Sequence, residues 1–241
     1  MDVKIRIRRK KGPSANSYIQ EFTFEGSADL PVTGILEELN ARQPLEDTNG
    51  KPAEPIDWEC SCKQKLCGAC AMVINGVPRM ACSTFLGDVC GNKNNVLELA
   101  PLSKFPVIRD LRIDRTQMFD DLKKMKVWLS ADALLNQKEL EHQYESASCI
   151  LCGCCLEVCP NYSIENAFVG ASTMNGAYRV ATQQSNSSNV REFIKENVKN
   201  GQGHCSKSLS CEKVCPIKIP VAALTSRMNR LYLKNLFKVY R

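Results

Sequence analysis

Hydrophobic and polar positions alternate at the start of the chain. Val3, Ile5 and Ile7 are separated by Lys4, Arg6 and Arg8, the period of two that marks a half-buried strand, here with a basic outer face. A second strand-like run at 18–24 follows a loop containing Gly12 and Pro13, and the two runs read as a hairpin. Over 31–39 the period lengthens, and Val32, Ile35, Leu36 and Leu39 fall on one helical face. Residues 44–55 form a loop rich in Pro, Gly and Asp. Runs at 72–74 and 78–81 flank Asn75-Gly76, a dipeptide suited to a two-residue hairpin turn. A further short strand is expected at 96–99. From Phe105 the helical period takes over, at 115–129, at 134–144 and in a C-terminal stretch. There Leu224, Met228 and Leu231, then Leu233, Leu236, Phe237 and Tyr240, supply apolar faces. The pattern predicts an α+β chain, with a β-rich domain over 1–105 and an α-helical domain over 106–241.

Composition adds one anomaly. The chain has 241 residues, 44% hydrophobic and 24% charged, as globular proteins do, but 14 of them are cysteine. No run of ~18 apolar residues exists, so no membrane-spanning helix is expected. The N-terminus lacks the apolar core of a signal peptide, which points to a reducing compartment, where many cysteines mean metal or redox chemistry more often than disulfides. The formal charge of +6 sits at the ends. Residues 1–11 hold six Lys/Arg against Asp2, and residues 227–241 hold Arg227, Arg230, Lys234, Lys238 and Arg241 with no acid. These runs read as solvated faces, or as docking surfaces for acidic lipid head groups or a partner subunit. No nucleic-acid module accompanies them, so nucleic acid is not an expected partner.

The cysteines fall into three groups. Cys62-x4-Cys67-x2-Cys70-x11-Cys82 is the plant-type ferredoxin spacing for a 2Fe–2S cluster, with Gly68 where backbone must approach closely. Zinc more often takes two C-x2-C knuckles. Cys149-x2-Cys152-x2-Cys155-x3-Cys159-Pro160 is the bacterial ferredoxin run, whose fourth cysteine serves the other cluster of a pair. Its partner is Cys205-x5-Cys211-x3-Cys215-Pro216, with Ser208 at the second ligand position. Crossing the fourth ligands gives Cys149, Cys152, Cys155 and Cys215 for a 4Fe–4S cluster. It leaves Cys159, Cys205 and Cys211, a set that suits 3Fe–4S. The alternative is a 4Fe–4S cluster with Ser208 Oγ on the fourth iron, a hard donor poorly matched to such a site. Cys60, Cys90 and Cys154 remain, and small buried hydrophobes are their default reading.

A plant-type 2Fe–2S domain followed by a two-cluster ferredoxin domain with one cysteine missing resembles the iron–sulfur subunit of succinate dehydrogenase and quinol:fumarate reductase, the complex II family. Cys67-Gly68-Ala69-Cys70-Ala71-Met72, Ile74-Asn75-Gly76 and Ala81-Cys82 match its first cluster loop. Phe105-Pro106-Val107-Ile108-Arg109-Asp110-Leu111 with Asp114-Arg115 is similar to its interdomain segment. The resemblance implies an N-terminal β-grasp domain and a C-terminal helical ferredoxin domain in a peripheral subunit at the cytoplasmic face of the inner membrane. Its partners would be a FAD flavoprotein that interconverts succinate and fumarate and a membrane-anchor cytochrome b subunit carrying haem b. The 2Fe–2S cluster would lie nearest the flavin and the 3Fe–4S cluster nearest a quinone. Related reductases with a thiol donor or another alkenoate acceptor, and a free ferredoxin-like carrier, are the rival readings.

Two stretches depart from the family. Its Arg-Glu-Gly after the first ligand is Lys63-Gln64-Lys65 here, a change expected to alter the loop backbone. The aromatic pair and the histidine of ubiquinone-using members are replaced by Pro160-Asn161-Tyr162-Ser163-Ile164 and Cys205-Ser206, which points toward menaquinone and fumarate reduction. Pro160, Tyr162 and Lys207 are the candidates for the quinone vicinity. His204, beside a ligand position, could tune a potential or be an ordinary polar neighbour.

Overall fold

The computed structural model describes residues 1–91, 95–129, 132–133, 137–183 and 188–237. It divides into two compact units, Met1–Arg115 and Thr116–Arg241.

The first unit contains β1 (Asp2–Arg9), β2 (Tyr18–Glu25), α1 (Val32–Ala41), β3 (Ala71–Ile74), β4 (Val77–Met80), α2 (Leu86–Val89) and β5 (Val96–Ala100). One sheet runs β2-β1-β5-β3-β4. β1 is antiparallel to β2, with Ile5 opposite Phe22, and parallel to β5, with Ile5 opposite Leu97. This is the β-grasp arrangement. Alternation puts Val3, Ile5, Ile7, Phe22, Phe24, Leu97 and Leu99 inside. α1 adds Val32, Ile35, Leu36 and Leu39 to the core. The β3–β4 turn uses Asn75 and Gly76, both with positive φ, as a two-residue hairpin of this type requires.

Two expectations change here. The outer face of β1 is basic at Lys4 and Arg6, which pair with Glu21, and Arg6 also meets Glu98. Arg9, however, keeps the inward phase of Val3, Ile5 and Ile7 and is 1% exposed. Its guanidinium binds both oxygens of Asp110, at 3.1 and 2.7 Å, together with Gln20 and the carbonyls of Glu54 and Pro55. Asp110, also 1% exposed, accepts the N–H groups of Lys10 and Asp57 as well. A charge pair survives burial when its remaining donors and acceptors are met in this way. In addition, the helical pattern read from Phe105 onward starts later. Residues 107–113 form a hairpin of β6 (Val107–Arg109) and β7 (Arg112–Ile113). The Asp110 contacts bind that hairpin to β1, which keeps 106–115 with the first unit.

The second unit contains α3 (Thr116–Lys124), α4 (Leu140–Ala147), α5 (Cys154–Glu157), α6 (Gly170–Gln183), α7 (Ser188–Asn200), α8 (Ser210–Lys213) and α9 (Val221–Leu236). The helix expected at 115–129 ends at Lys124, and Lys126 takes φ +52°, which a right-handed helix cannot continue. Of the helix expected at 134–144, positions 134–136 lie outside the described residues, and the observed helix starts at Leu140. α6 packs on α4 and α9, and α7 on α9. Their core includes Tyr178, Val180, Val190, Ile194, Ile219, Leu224 and Met228. Cys149, Cys155, Cys211 and Cys215 border it. Leu233, Leu236 and Phe237 are exposed, whereas Lys238, Tyr240 and Arg241 lie outside the described residues. Among the described residues no helix is long and apolar enough to cross a membrane.

Candidate metal centres

No disulfide joins any of the 14 cysteines. The first group lies on a loop that leads into β3 and on the 3-10 turn Ala81–Ser83 that ends β4. Lys63, Lys65 and Gly68 all have positive φ, so successive N–H groups turn inward as a nest. The N–H groups of Gln64 and Leu66 each reach Cys62 Sγ at 3.3 Å, that of Lys65 reaches Cys82 Sγ at 3.3 Å, and that of Cys82 reaches Cys70 Sγ at 3.4 Å. The thiols associate as Cys62 with Cys67 and Cys70 with Cys82. Two pairs are what two irons with two thiolates each require.

The electrostatics of the pairs differ. The Gln64 and Leu66 N–H groups lower the Cys62 thiol to about 7, while burial pushes Cys70 up to about 12. A thiol held up by burial ionises when a metal ion replaces its proton. The loss of the family glycine after Cys62 does not straighten the loop. Lys65 itself adopts φ +61°, at a cost of roughly 1–2 kcal/mol for a residue with a side chain.

The other two groups repeat one backbone motif 56 positions apart (149 to 205, 159 to 215). In the first copy Leu151 has φ +49° and Gly153 +86°, followed by α5; in the second, Lys207 has +57° and Leu209 +59°, followed by α8. The Lys207 N–H reaches Cys205 Sγ at 3.4 Å, as the Leu151 N–H does Cys149. Ser208 therefore occupies the place of Cys152. The last cysteine of each motif lies near thiols of the other, Cys215 near Cys149 and Cys159 near Cys211. Cys149 interacts electrostatically with Cys152 and Cys215, and Cys155 with Cys152, Cys149, Cys211 and Cys215. Cys211, which thus borders that group, also feels Cys159 and Cys205. Burial raises Cys149 to about 11 and Cys155 well above the usual thiol range.

Cys159, Cys205, Ser208 and Cys211 border a cavity of about 350 Å³, whose other walls include Phe168, Met174, Val221 and Asn229. Lys207 lines this cavity, whereas Pro160 and Tyr162 do not. Pro160 is exposed. Tyr162 is 3% exposed and faces Asp121. The α6 and α9 walls carry no spacing signal, and sequence reasoning missed them. His204 is exposed. Cys90 and Cys154 are buried as expected for small hydrophobes, but Cys60 is half-buried near Cys67 and Cys82. Among the described residues no group of three His, Cys, Asp or Glu is arranged for a single metal ion. Grouped thiols with N–H donors on their sulfurs fit the donor set of iron–sulfur clusters.

Comparison with known proteins agrees with that donor chemistry. Residues 4–120 match the model of a 2Fe–2S iron–sulfur cluster binding domain, and residues 145–219 match that of a 4Fe–4S dicluster domain. The succinate dehydrogenase iron–sulfur subunit of Bacillus subtilis is 31% identical over 237 residues, covering 95% of this chain and 91% of the relative. The fumarate reductase iron–sulfur subunit of Wolinella succinogenes is 28% identical over 241 residues, covering 94% and 95%. A chain of the Mycobacterium smegmatis Sdh1 complex in the apo form shares the fold, with a TM-score of 0.79 at 22% identity over 98% of this chain and 97% of that one. With its β-grasp and helical units, its thiol groups and a relative of this identity along nearly its whole length, the chain belongs to the family of succinate dehydrogenase and fumarate reductase iron–sulfur subunits.

Proposed function

We propose that this chain is the electron-transfer subunit of a membrane-bound fumarate reductase or succinate dehydrogenase. It stands between a FAD flavoprotein subunit and a quinone site on a haem b-bearing cytochrome b anchor, at the cytoplasmic face of the inner membrane. Cys62, Cys67, Cys70 and Cys82 hold a 2Fe–2S cluster. Cys149, Cys152, Cys155 and Cys215 hold a 4Fe–4S cluster, and Cys159, Cys205 and Cys211 a 3Fe–4S cluster. When bound, such clusters accept and release single electrons, the chemistry that links a two-electron flavin to a two-electron quinone.

The observation that supports this reading is the nearness of Cys215 to Cys149 and of Cys159 to Cys211 across two copies of one motif, with a serine at the second position of the second copy. Exchange is the mark of a two-cluster ferredoxin, and three thiolates match a cluster with one iron fewer. Nest-forming residues direct N–H groups at the thiolates and stabilise their charge. The cavity that Cys159, Cys205, Ser208 and Cys211 border has walls beyond those thiols, and Lys207 among them offers a cation to a quinone oxygen. Menaquinone is the quinone this reading favours.

Purification of the full chain from its native membranes, without oxygen, tests the proposal. A flavoprotein and a haem-bearing membrane subunit should copurify with it. A chain that purifies alone with full cluster content is a free carrier, and one that carries zinc without iron is not a redox protein.

A further inference from the structure

Arg115 closes the first unit and grips the first thiol loop at two points. Its Nη1 donates to Glu59 Oε2 at 2.7 Å, and its Nη2 donates to the carbonyl oxygen of Ala69 at 3.0 Å. Glu59 precedes Cys60 and Cys62; Ala69 lies between Cys67 and Cys70. One guanidinium thus ties the arm that enters the loop to the arm that leaves it. Arg112 Nε takes the other Glu59 oxygen at 3.3 Å, so two cations face one carboxylate and the cluster of charges is net positive. The Arg115 side chain is only 14% exposed, and its Nε is buried with no hydrogen-bond partner.

We propose that Arg115 is a positioning residue of the first metal site and that its charge raises the site's reduction potential. The inference rests on the 2Fe–2S ligand set assigned above. The positioning follows from peptide geometry. The Ala69–Cys70 bond is trans, since the one cis peptide among the described residues is Gln43-Pro44, and in a trans peptide the C=O and N–H point in opposite directions. By holding the Ala69 carbonyl, Arg115 fixes which way the Cys70 N–H faces and with it the approach of the Cys70 thiol. The electrostatic part follows from charge. Reduction adds one negative charge to the site, and a cation in a poorly solvated position favours the state that carries it. Lysine would keep the charge but not the planar two-point grip.

The test is an EPR-monitored redox titration of the full chain, purified with its partners, as wild type and as three variants. Arg115→Gln should make the 2Fe–2S midpoint more negative, by up to about tenfold in the reduction equilibrium, which is about 59 mV for one electron. Glu59→Gln removes a negative charge at the same place and should move the midpoint the other way. Arg115→Lys should stay within about threefold of wild type while its EPR line shape changes, because the Ala69 grip is lost. Opposite shifts for the Gln variants support the proposal; shifts of the same sign, or none, overturn it. If Arg115→Gln empties the first site, the lysine variant decides: a filled site near the wild-type midpoint supports the proposal, and an empty or strongly shifted one overturns it. A wild-type protein with no 2Fe–2S signal sinks the ligand assignment itself, which is a separate result.

Discussion

Ser208 illustrates how one atom can decide a site. It takes the place of Cys152 in a repeat whose turns are otherwise preserved, and it borders the same cavity as Cys159, Cys205 and Cys211. Ser208→Cys should therefore convert the proposed 3Fe–4S site toward 4Fe–4S, with loss of the EPR signal of the oxidised three-iron cluster; an unchanged spectrum would argue against the crossed assignment. Asp121 carries a second prediction. Burial raises its pKa, while Gln117 and Lys124 pull it down, and Asp120 faces it with like charge; Tyr162 also contacts it. An acid whose pKa is raised by folding holds its proton more tightly in the folded chain, so stability falls as pH climbs from the ordinary 3.8 through the raised value. Asp121→Asn should flatten that fall, read as thermal midpoints across the acid range; an unaltered pH profile would count against it. The thiol spacings were legible from sequence because ligand chemistry fixes them. The Arg9–Asp110 pair was not, since it joins positions 101 residues apart and Arg9 reads locally as one more surface cation.

Among the elements, β1 was legible from alternation, the other strands from short runs beside turn signals such as Asn75-Gly76, and the β-grasp arrangement only from the family resemblance. The β6–β7 hairpin was hidden because its three- and two-residue strands are too short to show a period. The helix over 115–129 was overread because periodicity does not register a residue such as Lys126, whose positive φ is set by tertiary context. In the second unit a glycine does similar work. Gly170, which opens α6, has φ +72°, and a Cβ there would strike the side chain of Leu156 and press on Tyr162. Leu156 lies in α5, between the ligand candidates Cys155 and Cys159. Gly170→Ala should cost roughly 1–3 kcal/mol from backbone strain and overpacking. It should also lower the content of the second and third clusters while leaving the first intact. Stability and iron content equal to wild type would show that the α5–α6 contact does not set the sites.

For the whole molecule, the basic formal charge of +6 counts every cysteine as neutral. Three proposed clusters with their thiolates would bring about −6 when oxidised, so the loaded chain is near neutral and becomes negative on reduction. Part of the basic N-terminal run is already committed internally, at Arg9. In α9, Arg230, Leu233, Lys234 and Leu236 are exposed. The central claim is that one chain holds three different clusters on four, four and three thiolates. It is tested most directly by iron analysis and EPR of the anaerobically purified full chain with its partners. The account predicts about nine irons per chain and three separable signals, one from an oxidised three-iron cluster. Ten irons with no such signal would contradict it.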